Sequence, residues 1–250
     1  MISEGKKETI KFWVAIFLLI LVLMIVSILM IRYQVEGEKN MPFQLSKMVV
    51  ISSAEGVDKQ EEEEAASWNF DIYQNNDIYF YIDQNTDIDI QDELIKSVKI
   101  ENIQTAQAPQ KGTIKAYMPN SEAGRLYSYD ERFLVGEKLE YKGASQSSST
   151  NLEIGSKGGT ALIRISNAEI GNYASDKDTE IIHDGSLLNK IEASYEDIQF
   201  TISFDFIIET TKNKYKTTIT LNLPTGNLAE EKTCNLEKTD MSDIIFKRVK

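Results

Sequence analysis

Residues 12–31 form twenty consecutive positions without a charge, and Ser27 is their one polar side chain. At 1.5 Å per residue such a run spans about 30 Å as a helix, the thickness of a bilayer's hydrocarbon core. A helix apolar on every side has no wet face to turn outward on a soluble domain. The run therefore predicts a transmembrane anchor over residues 12–32. Trp13 and Tyr33 stand where interfacial aromatics sit. A cleaved signal peptide would have a shorter apolar stretch and then small residues, whereas here Met30 and Ile31 lead into Arg32 and Tyr33. With no ionisable residue inside it, the span reads as a tether rather than a conducting element.

The anchor divides the chain into a short tail (1–11), the span, a polar stalk (33–42) ending at Pro42, and a body (43–250). Lys6, Lys7 and Lys11 before the span are nearly matched by Arg32, Lys39 and Lys47 after it. Orientation then follows from two tendencies. Short lysine-bearing tails stay in the cytoplasm, and long acidic domains translocate with little regard to charge. The expected arrangement is a single-pass membrane protein with its C-terminal domain outside. Usage rich in Ile, Lys, Asn and Glu, with four prolines and no N-x-Ser/Thr acceptor, reads as bacterial, which sets the body in the cell envelope.

Charge is as unevenly placed as hydropathy. Of the 27 basic and 39 acidic residues, 23 and 37 respectively follow Arg32, so the body is strongly acidic. Phosphate backbones need a basic face, and nucleic acid is excluded as a partner on this ground.

Alternation dominates the body. Phe43, Leu45, Val49 and Ile51 alternate with Gln44, Ser46, Val50 and Ser52 in a period interrupted by Lys47, and Ile198 to Glu209 alternates for a full dozen residues. Tyr215 to Leu223 answers it across a turn at Lys212 and Asn213, and Pro224 with Gly226 ends the strand. Trp68 to Ile72 and Ile78 to Ile82 read as a hairpin turning at Gln74-Asn75-Asn76-Asp77. Further strands are expected at 98–105, 112–118, 138–141 and 161–166, with short helices at 92–96 and 187–191. The expected fold is all-β, an antiparallel β-sandwich behind one transmembrane helix. It forms either one large unit or two small immunoglobulin-like ones divided near the Ser-rich 143–150 segment.

Four constellations could carry chemistry. Asp83, Asn85, Asp87 and Asp89 have the alternate oxygen spacing that opens a calcium loop. Ile88 stands where the turn needs glycine and Leu94 where it needs a bidentate glutamate, so a polar turn is the preferred reading. The run Glu61-Glu62-Glu63-Glu64 reads as a solvated connection. Gly155-Ser156-Lys157-Gly158-Gly159-Thr160 has the residues of a phosphate loop in the wrong order and feeds a strand, so a hairpin turn is expected. His183, the single histidine, excludes a multi-histidine metal site and reads as part of a surface turn.

His183, Cys234 and Arg248 occur in the order of a sortase-type transpeptidase, a family this layout of anchor and β-domain resembles. The resemblance implies a thiolate nucleophile at Cys234, an imidazole acid at His183 and an oxyanion-steadying guanidinium at Arg248. It departs from that family in the polar, acidic residues 227–233 before Cys234, which read as a loop and make Cys234 a loop or packing residue. A lone cysteine also excludes an intramolecular disulfide. No catalytic, metal-ligating or cofactor-binding residue is assigned. The expectation is a non-catalytic binding or structural module that meets the lipid bilayer through 12–31 and a protein or cell-wall partner through its β-domain. Tyr79, Tyr81, Tyr127 and Tyr129 are read as covering the core margin, and rows of Thr, Ser and Lys on long strands suit edge pairing.

Overall fold

The computed structural model describes residues 4–59, 67–86, 93–119, 132–133, 138–145 and 152–249. Helix α1 (Glu4–Glu36) carries the apolar run. Within its portion Thr9–Glu36 an 18-residue stretch has a mean hydropathy of 3.4 and is not buried by the rest of the protein, so the helix is long and apolar enough to cross a membrane. Among the described residues the rest is mostly β, in two six-stranded sheets.

The first sheet contains β1 (Phe43–Asp58), β2 (Ser67–Gln84), β4 (Thr113–Tyr117), β5 (Arg132–Phe133), β8 (Gly158–Asp176) and β11 (Cys234–Lys238), in the order β11-β1-β2-β8-β4-β5. The second contains β3 (Ile95–Gln107), β6 (Leu139–Gly143), β7 (Leu152–Ile154), β9 (Phe200–Thr210), β10 (Lys214–Leu223) and β12 (Lys247–Val249), in the order β12-β10-β9-β3-β6-β7. Pairings are antiparallel except β6 with β7, which is parallel. Strands from before and after 143–150 interleave in both sheets: β2 pairs with β8, and β3 with β9.

The inner faces of the two sheets share one hydrophobic cluster. Phe80 of the first sheet meets Phe206 of the second at 4.7 Å between ring centroids and Phe204 at 5.8 Å. Tyr141 on β6 ties the sheets a second time, its hydroxyl donating to Leu162 O at 2.6 Å and accepting from Leu162 N at 3.1 Å. Burial pushes this phenol well above its ordinary pKa.

The first sheet is the longer. Beyond the shared cluster its strands continue to a second apolar cluster, roofed by the short helices α2 (Ser186–Lys190), α3 (Tyr195–Ile198) and α4 (Leu228–Glu231). Ser194 caps α3 in a reciprocal box with Asp197.

A polar belt separates the clusters, and it overturns the expected turn at Gln74–Asp77. These residues continue β2 without a break, and Gln74, Asn75 and Asn76 are fully buried. Asn76 Oδ1 accepts from Ser52 Oγ and from Gln74 Nε2, both at 2.7 Å, and Asn76 Nδ2 donates to Ile165 O at 2.9 Å. On β8, Ser166 Oγ donates to Asn75 Oδ1 at 2.6 Å. Asn75 and Asn76, residues of a type that usually makes turns by bonding its own backbone, here bond across strands.

Three other expectations are corrected. Ile95 and Lys96 are strand, not helix, because β3 pairs with β9 from Ile95 onward. The 155–160 segment turns, with Gly158 N donating to Gly155 O, but it is no hairpin: β7 belongs to the second sheet and β8 to the first. The stretch 34–42 is not a free stalk, since α1 runs to Glu36 and the next residues are docked on the body. Gly37 takes a left-handed φ of 73°, and a Cβ there would lie 2.6 Å from Phe246 O. Glu38 N donates to Phe246 O, and Met41 is buried in the shared cluster.

On the wet face of the second sheet, Glu209 accepts from Lys99 at 2.6 Å and from Lys96 at 3.2 Å. The Lys99 bond foremost holds its carboxyl down from an ordinary 4.5 to about 2. A depressed folded-state pKa stabilises the fold fully above the unfolded value. Its contribution is expected to fade as pH falls from 4.5 towards 2. Wild type and Glu209→Gln should therefore differ in melting temperature at pH 6 and converge near pH 2; a constant gap would show that pairing at Glu209 is not the cause.

Candidate partner-binding edge

β10 is the outermost long strand of the second sheet, and its outer neighbour β12 covers only Lys214, Tyr215 and Lys216. From Thr217 to Leu223 the strand pairs with β9 alone among the described residues. The sequence of this stretch, Thr-Thr-Ile-Thr-Leu-Asn-Leu, has no charge, no proline and no glycine. Edges of stable monomers are ordinarily guarded by charge, proline or a bulge, and this one carries no such guard. Ile219, Leu221 and Leu223 turn into the core, while Thr218, Thr220 and Asn222 face solvent.

The facing edge of the first sheet is β11, held to β1 by the register Met48↔Lys238 to Ser52↔Cys234. Between β10 and β11 opens a lateral cleft of about 430 Å³, with Val50, Ile219, Leu221 and the exposed Leu236 among its walls. Residues 239–246 close its lower end and lead from one sheet to the other: Ile244 packs on the shared cluster, and Phe246 reaches Phe206 at 6.3 Å. The cleft is thus a gap between two sheet edges, with Thr218, Asn222, Lys238 and Asp243 beside the apolar side chains in its walls, and bordered by backbone that has no further strand partner among the described residues.

Comparisons with protein-family models, curated proteins and solved structures find no match to this chain. Assignment of a role rests on the residues themselves.

The residues of the transpeptidase resemblance have separate partners. Cys234 opens β11 and is buried in the second cluster. Burial first, and the Glu231 carboxylate second, push its thiol up to about 11, which opposes thiolate formation. His183 Nδ1 accepts from Gly56 N at 3.2 Å, and its ring stands edge-on to Phe70 at 6.1 Å. Arg248 lies in the other sheet, where its guanidinium meets Glu38 at 3.3 Å. Iodoacetamide at pH 8 is expected to leave Cys234 unmodified in the folded protein and to alkylate it after unfolding. Rapid alkylation of the native state would refute the buried, protonated thiol.

Of the calcium-spaced residues, Asp83 is the last residue but one of β2, and Asn85 donates from its side chain to Met41 O at 3.3 Å and from its backbone to Pro42 O at 2.8 Å. Asp87 and Asp89 lie outside the described residues, as do Glu61–Glu64, Tyr127 and Tyr129. Among the described residues no group of three or more His, Cys, Asp or Glu is arranged to hold a metal ion. Tyr79 and Tyr81 are half-buried, and Lys47 Nζ sits 4.5 Å over the Tyr81 ring. At the far end of β1 and β2, Trp68, Phe70, Ile181 and His183 line a second cleft of about 540 Å³. β11 and β12 were not foreseen from sequence. Five and three residues long, they are too short for alternation to show.

Proposed function

We propose that this protein is a single-pass, membrane-anchored binding module of a bacterial envelope. Helix α1 serves as the anchor, and the acidic β-sandwich stands on the outer side as one unit. The module is non-catalytic and holds a partner protein by strand addition: an extended segment pairs with the backbone of Thr217–Leu223 and sends alternate apolar side chains into the cleft. The observation that carries this reading is the seven-residue uncharged edge of β10 beside a lateral gap lined by both polar and apolar side chains. Main-chain pairing supplies affinity in such contacts, and alternate side-chain pockets supply specificity.

The experiment is hydrogen exchange on the full chain, purified in detergent and in native membranes. In detergent, the outward amides of 217–223 are expected to exchange orders of magnitude faster than those of 200–208, which are paired on both sides. In native membranes the same amides should be protected, and Thr218→Lys with Thr220→Lys should remove that protection. Equal exchange in both preparations would overturn strand addition. Protection that appears in detergent only as protein concentration rises would identify a second copy of the chain as the occupant.

A further inference from the structure

The C-terminal strand brings basic residues to the place where α1 leaves the membrane. Phe246 O accepts from Glu38 N at 2.8 Å, while two residues later Arg248 N donates to Tyr33 Oη at 2.9 Å. Lys247 Nζ donates to Gln34 Oε1. β12 therefore runs down alongside α1, towards the apolar run. At 1.5 Å per residue, Tyr33 and Gln34 stand only about 3 and 4.5 Å beyond Ile31. Helical side chains lean towards the helix N-terminus, which carries the Tyr33 hydroxyl lower still. The polar layer on each side of a bilayer is roughly 5–8 Å deep. With α1 spanning the membrane, β12 ends inside that layer.

Strand register brings β10 to the same level. Val249 pairs with Lys214, and the turn holding Lys212 is the continuation of β10 in the same downward direction. Arg32, Lys212 and Arg248 are exposed, and Lys214 and Lys247 half-exposed. Among the described residues, Glu36 is paired with Arg32 at 2.9 Å and Lys39 at 2.6 Å and Glu38 with Arg248, while Glu93 is buried and accepts from the Thr210 hydroxyl. Lys212, Lys214 and Lys247 make no ion pair among the described residues. A chain of net charge −12 thus gathers three lysines without an acidic partner among the described residues at its foot, beside the ion-paired Arg32 and Arg248.

We propose that this foot, formed by Arg32, Lys212, Lys214, Lys247 and Arg248, is a docking surface for anionic phospholipid headgroups. The inference rests on α1 being a membrane span. A basic side chain near an anionic surface gains about fivefold in partitioning, and the acidic remainder is repelled from the same surface. Together they hold the two sheets upright, with the β10 edge raised above the lipid.

The test uses the full chain reconstituted in vesicles, carrying Cys234→Ser and a fluorophore on Thr211→Cys beside the proposed contact. Lipids spin-labelled at the headgroup report proximity by quenching. In vesicles containing phosphatidylglycerol, quenching is expected to be several-fold stronger than in phosphatidylcholine alone. High salt should weaken it, and so should the triple variant Lys212→Glu, Lys214→Glu, Lys247→Glu, whose unchanged melting temperature confirms folding. Equal quenching in both lipids, insensitive to salt and to charge reversal, would overturn the headgroup surface while leaving the anchor intact. Failure of the protein to float with either vesicle would instead overturn the anchor, and the headgroup surface with it.

Discussion

Asn76→Ala is expected to lower the unfolding free energy by roughly 3–4 kcal/mol, measured by urea titration in detergent micelles. Asn76 is fully buried and makes three hydrogen bonds, at 2.7, 2.7 and 2.9 Å. Alanine would leave the Gln74 amide and the Ile165 carbonyl unpaired in a dry interior, at about 1–3 kcal/mol each. Ser52 is partly rescued, since its hydroxyl also lies 3.3 Å from Thr225 Oγ1. Gln74→Met provides the contrast. Gln74 Oε1 has no partner among the described residues, so this change loses one bond but also removes an orphaned acceptor. Its expected cost is within about 1 kcal/mol. If the two variants were equally destabilised, the belt would be acting through packing rather than through hydrogen bonding.

Phe206→Ala is expected to cost about 3–5 kcal/mol. Phe206 is fully buried in the central strand β9 and touches Phe80 of the opposite sheet and Phe246 of the C-terminal segment. The ring therefore links three parts of the body that are distant in sequence. Against a total stability of about 5–15 kcal/mol, its removal leaves little reserve. Phe206→Leu, which keeps most of the volume, should cost about 1.5 kcal/mol or less. Both variants are expected to melt in one transition seen equally by circular dichroism and by tryptophan fluorescence at Trp68. A second transition surviving in Phe206→Ala would show that the sheets are separately stable.

Legibility from sequence followed the local character of each signal. β10 alternates along its length because one face is buried and the other wetter, and a two-residue period records that arrangement directly; β9 carries the same period although Asp205 and Ile207 on its other face are buried too. β2 misleads at Gln74–Asp77 because the same side chains that favour turns also bond across strands, and only the neighbours decide between the two. Burial of Ser52 and Asn76 depends on β1 and β2 lying side by side, in the register Ser52↔Asn76. Of the candidate site, the uncharged run 217–223 was visible as a strand. Its standing at an edge was not, because edge position depends on how far β12 extends along β10.

The sequence by itself determined the long apolar helix, the acidic body and the strand-rich class. Each is a sum over local properties: an unbroken apolar run, a charge count, a two-residue period. Tertiary structure alone decided that Lys247 and Arg248 meet Gln34 and Tyr33 across more than two hundred residues, and that Cys234 and Arg248 belong to different sheets. The physical reason is sheet topology. Hydrogen bonding between strands is indifferent to the length of chain that joins them, so the placement of an edge, a belt or a basic foot is fixed by pairing and packing and leaves no periodic trace in the residues that form it.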